Sequence, residues 1–172
     1  MLTLHTKLEH AETIDDELLL PLDLREKSRL RSRLVSGEEV AVFTVRGTVL
    51  RDGDLLRGDD GRVVKIVAAR ETTYRVECDT QRALLRCAFH LGNRHTQVEF
   101  GGDTRAAFLR VRKDHVLKDM LEGMGATIVE EEAIFDPEPG AYGGSHHPHG
   151  EHHPLAPVPA RQKIHRPSDK SS

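Results

Sequence analysis

Two hydrophobic rhythms divide the chain. From Leu18 to about Leu50, apolar residues recur at every second position, the period of a half-buried strand rather than of a helix. Between Leu22 and Val35 the even positions carry Leu22, Leu24, Leu30 and Leu34, and the odd ones carry Arg25, Lys27, Arg29, Arg31 and Arg33. An extended strand there puts five cations on one face and the leucines on the other. Short β-rich runs follow at Glu39–Val45, Asp54–Arg57 and Arg62–Ala68, separated by Ser36-Gly37, Asp52-Gly53 and Asp60-Gly61. Asp-Gly tolerates the positive φ angles of tight turns, so each such pair predicts a hairpin. Residues 1–70 are expected to form a small all-β domain.

The rhythm changes after Glu71-Thr72-Thr73. Tyr74–Cys78 alternates as a strand, and Asp79 or Thr80 can cap a helix whose Ala83, Leu84, Cys87, Ala88 and Leu91 form one apolar stripe before Gly92 ends it. Thr96–Phe100 and Ala107–Val111 are strand-like on either side of Gly101-Gly102. Asp114 can cap a second helix carrying Leu117, Met120, Leu121 and Met124, closed by Gly123 or Gly125, and Thr127-Ile128-Val129 opens a last strand. The order βαββαβ predicts a ferredoxin-like domain over residues 71–139, with two helices on one face of a four-stranded sheet. The fold class is therefore α+β.

From residue 140 to residue 172 proline, glycine, serine and histidine replace the apolar residues needed to offset ordering entropy, so this tail is expected to be disordered. The formal charge of −3 gives no global reason to expect nucleic acid or an acidic membrane as partner. Locally, the cations from Arg25 to Arg33 suit either a charged edge that resists aggregation or a docking face for an acidic partner; without an aromatic residue for base stacking they suit nucleic acid less. The first ten residues lack the pattern of a secretory signal and no run reaches membrane-spanning length, so the expected location is cytoplasmic. Cys78 and Cys87 fit no zinc-finger spacing and are expected to be reduced, buried small residues.

The densest chemistry lies in the tail. His146, His147, His149, His152 and His153 place five of the chain's eleven histidines within eight positions. Neutral imidazole ligates borderline divalent ions such as Ni²⁺, Zn²⁺ and Cu²⁺. Pro148, Gly150 and Glu151 interrupt the run and further residues follow it, which argues against a purification tag. A mobile tail captures metal without fixing geometry, because ordering each residue costs about 1–2 kcal/mol. Folded anchors are available in His90, His95 and His115. One anchor per chain is too few for a four- to six-coordinate ion, but a two-fold axis near His95 would supply two. Enzyme signatures are missing: the sequence has no GxxxxGK[ST], HExxH or GxSxG motif, and the Asp52–Asp60 turn departs from an EF-hand at Arg57. Glu130-Glu131-Glu132 reads as a solvated charged strand.

Three separated segments carry a resemblance: Leu24–Arg31, His90-Leu91-Gly92-Asn93-Arg94-His95 and Asp114–Leu121. Together they resemble the urease accessory nickel chaperone family, UreE, over roughly residues 10–137. The resemblance implies a head-to-head homodimer in which His95 of both copies shares one Ni(II). His90 matches a nearby histidine. Where family members often carry His-x-His this chain has Lys113-Asp114-His115, so only the second histidine survives. The resemblance further implies that Ni(II) passes through a urease accessory GTPase towards apo-urease, with no catalysis by the chain itself. The alternative is a histidine-rich protein that stores or buffers Ni²⁺ or Zn²⁺, with several weak sites independent of His95. Either way, affinity should fall as the pH drops through about 6.5, where imidazole ordinarily gains a proton.

Overall fold

The computed structural model describes residues 1–103 and 106–139. Its first part is a six-stranded sheet of β1 (Leu2–Leu8), β2 (Asp16–Leu20), β3 (Arg29–Arg33), β4 (Glu39–Phe43), β5 (Leu55–Gly58) and β6 (Val63–Ala68), in the order β2-β6-β5-β1-β4-β3. Alternation decides which residues it buries. Leu18 and Leu20 of β2, Val40 and Val42 of β4 and Val64 and Ile66 of β6 meet Leu4 of β1 in one core, all fully buried.

Strand β1 is additional to the strands that the rhythm predicts. It pairs parallel with β4 and antiparallel with β5, and thereby separates the two strands that Asp52-Gly53 was expected to join. The turn itself forms, with Gly53 at φ 84° and its N–H donating to the Ile66 carbonyl at 2.9 Å. Ser36-Gly37 and Asp60-Gly61 do lie between paired strands, β3 with β4 and β5 with β6.

The basic ribbon also needs correcting. Residues Leu22–Arg25 form a single helical turn, α1, after Pro21 at φ −69°, and extended structure resumes only at Arg29. Proline presets the helical φ and so favours a turn where the charge pattern suggested a strand. Arg25 is consequently fully buried and belongs to no docking face. Lys27, Arg29, Arg31 and Arg33 remain exposed, the last three along the edge strand β3.

The second part runs β7 (Arg70–Glu77), α2 (Gln81–Asn93), β8 (Glu99–Gly101), β9 (Phe108–Arg112), α3 (His115–Gly123) and β10 (Thr127–Ile134), which is the expected βαββαβ order. The sheet is antiparallel throughout, in the order β10-β7-β9-β8. Thr80 caps α2 by accepting from the Ala83 N–H at 3.2 Å, and Asp114 caps α3 by accepting from Val116 and Leu117 at 2.8 and 3.0 Å. Cys87 and Leu91 of α2 and Leu121 of α3 pack on Val76, Leu109 and Val111 of the sheet. Glu130 and Glu131 lie in β10, ion-paired with Lys113 at 2.6 Å and Arg110 at 2.8 Å.

A strap at Phe135–Glu138 joins the two parts. The buried Arg25 guanidinium donates to the carbonyls of Leu50 (3.1 Å) and Phe135 (2.5 Å), while Asp136 pairs with Arg51. Glu26 accepts from Gln97 at 2.5 Å, and Leu22 N–H donates to Glu71 at 3.1 Å. Finally the Glu138 N–H donates to the Val98 carbonyl at 2.8 Å, bringing the end of the described chain beside the segment that follows α2.

Candidate metal centre

His95 sits at the C-terminal end of α2. The N–H of His95 donates to the Gly92 carbonyl at 2.9 Å and that of Thr96 to the Leu91 carbonyl at 3.1 Å. This pair of bonds is a Schellman motif, which puts the residue after the cap in the left-handed region. That residue is His95, at φ 55°, the only non-glycine with positive φ among the described residues. Glycine usually occupies this position because a Cβ there costs about 1–2 kcal/mol. Helix α2 passes through Gly92 and ends at Asn93, so the left-handed position falls three residues beyond the glycine expected to stop it. The motif turns the His95 side chain out of the helix, where it is exposed.

His90 lies in the last turn of the same helix, half-buried, with its ring edge-to-face against Phe89 at 5.4 Å and 82°. His115 is the first residue of α3 and is exposed. Among the described residues, no three or more His, Cys, Asp or Glu side chains are grouped so as to hold a metal ion. His146, His147, His149, His152 and His153 lie outside the described residues.

The apolar stripe read from the sequence accounts for the inner face of α2 but omits Leu85 and Phe89. These are 63% and 64% exposed, four positions apart, on the helix that presents His95. Both are visible in the sequence as apolar positions outside the buried stripe, which is the signal for a second, uncovered face. On the other sheet, Met1 and Arg31 line two shallow grooves of about 300 and 410 Å³ beside β3. Arg33 pairs with Glu39 at 2.6 Å, whereas Arg29 and Arg31 make no ion pair among the described residues.

Comparison with known proteins settles the family. Residues 2–69 match the UreE urease accessory protein N-terminal domain, and residues 71–157 match its C-terminal domain. The chain belongs to the UreE family. It is 70% identical to the urease accessory protein UreE of Janthinobacterium sp. (strain Marseille) over 173 positions, 99% of each chain. It is 61% identical to that of Nitrosospira multiformis over 98% of each. Membership in the UreE family gives the chain a role in urease maturation, as an accessory protein and not as the urease itself. No described helix is long and apolar enough to cross a membrane.

Proposed function

We propose that the chain is a cytoplasmic nickel metallochaperone, holding Ni(II) between two copies at paired His95 and passing it through the urease accessory GTPase to apo-urease. The observation that carries this reading is His95 itself, an exposed imidazole at a backbone position that favours glycine. Strain of this kind persists where the side chain serves something other than stability.

Leu85 and Phe89 support the homodimer, because a second copy seated on that face of α2 would cover both and bring two His95 side chains together. His90, against Phe89, borders the same face. The strap at Glu138 supports a closing role for the tail. His146 stands eight positions after Glu138, a reach of up to about 28 Å for extended chain. His146, His147, His149, His152 and His153 can then complete coordination begun at His95, and exchange among similar imidazoles lets the ion leave without a bare intermediate. His115 stands alone without the histidine two positions before it, and is at most an outlying ligand. Zn(II) and Cu(II) would compete for such a donor set, since imidazole does not select Ni(II) by affinity.

The βαββαβ order and the antiparallel sheet support reading residues 71–139 as a ferredoxin-like domain that binds metal and dimerises. Lys27, Arg29, Arg31 and Arg33 suit residues 1–70 to docking an acidic segment of a partner. The sequence contains no GxxxxGK[ST] motif, and on this reading the partner GTPase supplies nucleotide hydrolysis.

Calorimetric titration of Ni(II) into the wild type, His95→Ala and a chain ending at Pro139 tests the reading. Loss of the tightest site in His95→Ala, with its retention and a lower total stoichiometry in the shortened chain, is expected. Persistence of the tightest site in His95→Ala would instead identify a buffering protein.

A further inference from the structure

Cys78 follows the last residue of β7, and Cys87 lies on the inner face of α2. The fold brings their Sγ atoms to 3.9 Å, in van der Waals contact, and both are free thiols. They are unequal. Cys87 is fully buried among the core residues of the second sheet, whereas Cys78 packs against that core and is half-buried. Nothing in the proposed handling of nickel uses either sulfur.

We propose that Cys78 and Cys87 form a dithiol modification site, which a low-molecular-weight disulfide oxidises to an intramolecular bond tying β7 to α2. A disulfide needs its sulfurs about 2.05 Å apart. Side-chain rotation at Cys78, outside both helix and strand, supplies the approach. Exposure sets the order of events. The Cys78 thiolate attacks one sulfur of the small disulfide, whose S–S bond breaks and whose first thiolate leaves and takes up a proton. Cys87, 3.9 Å away, then attacks the Cys78 sulfur as its proton passes to the departing small-molecule thiolate, breaking the mixed disulfide and releasing the second thiol. Two cysteine thiols have lost two electrons and two protons, and one small disulfide has become two thiols.

Burial, together with the neighbouring Cys87, pushes the Cys78 thiol up to about 11. Thiolate is therefore scarce at neutral pH and the reaction is slow, quickening about tenfold per pH unit as the thiolate fraction grows. Once formed, the bond fastens α2 to the sheet upstream of His95, which restrains the helix without touching the metal-facing side chain.

The test treats the full-length protein with oxidised glutathione at about pH 7 and about pH 9 and follows intact mass and peptide maps. The wild type should lose the mass of two hydrogens, retain no glutathione and react faster at the higher pH. Cys87→Ser, or Cys87→Ala should the serine be poorly tolerated in the core, should trap a stable glutathione adduct at Cys78. Cys78→Ser should stay unmodified. A lasting adduct on the wild type, a cross-link between two copies, or thiols unreacted in the folded protein at about pH 9 would each overturn the proposal.

Discussion

Helices α2 and α3 end in the same way but for one residue. In α3 the Gly125 N–H donates to the Glu122 carbonyl at 2.9 Å and the Ala126 N–H to the Leu121 carbonyl at 3.1 Å, the same two bonds that close α2. In both, a fully buried leucine, Leu91 or Leu121, provides the carbonyl of the longer bond. The left-handed position holds Gly125 at φ 88° in α3 and His95 at φ 55° in α2. One helix end is built at least cost; the other accepts a Cβ where glycine is favoured. Local folding requirements account for Gly125 at its left-handed position and do not account for His95 at the equivalent one.

Making the two ends alike is the sharpest way to test this. His95→Gly should weaken the tightest Ni(II) site by about 100-fold or more, beyond the 10–100-fold typical of losing an outer partner of a metal ligand. The same variant should gain about 0.5–1 kcal/mol in urea unfolding, once the greater freedom of unfolded glycine is subtracted. A net loss of stability would show that His95 makes a structural contribution. A second difference lies along the helices: Phe89→Glu places a charge on the uncovered face of α2 and should weaken self-association about 30-fold, read by sedimentation. An unchanged association constant would remove α2 from the interface. The reciprocal of the first change, Gly125→His, should cost about 1–2 kcal/mol and add no metal site in calorimetry. The smallest effect lies beside the Asp114 cap of α3, where the ion pair with Glu130 raises Lys113 above its usual 10.5. A raised lysine stabilises fully below its unfolded value and ceases to do so as the pH climbs through the folded one. Lys113→Met should therefore flatten the alkaline limb of stability above pH 10.5, by a margin limited by solvent screening at this exposed site.

Much of the fold was legible because local chemistry and tertiary packing agree. Asp114 caps α3 as its side chain suggests, and the βαββαβ order follows from alternation and stripes. Where they diverge the reasons are specific. Leu2, Leu4 and Leu8 alternate well enough to announce β1, but no local signal reveals that β1 inserts between β4 and β5, since its parallel pairing is chosen by distant partners. Arg25 looks like one more surface cation until the carbonyls of Leu50 and Phe135 close on it. The candidate site was legible as a histidine near a helix end. Its left-handed backbone was not, because Gly92 offers an earlier stop that the helix does not take.

The partner that Arg25 finds in Phe135 stands 110 positions later in the chain. During synthesis all six strands of the first sheet have been made by Ala68, and domains generally fold in chain order. The guanidinium then has the Leu50 carbonyl but must wait for the end of β10 before the second arrives. A nascent chain interrupted before Phe135 lacks both that carbonyl and the Asp136 carboxylate, 3.7 Å from the guanidinium in the complete fold, and leaves Arg25 without the strap that packs on it. The ribosome thus delivers last the strap that, with the Leu22–Glu71 and Glu26–Gln97 bonds, fastens the two sheets together, so that only chains long enough to carry it complete the junction.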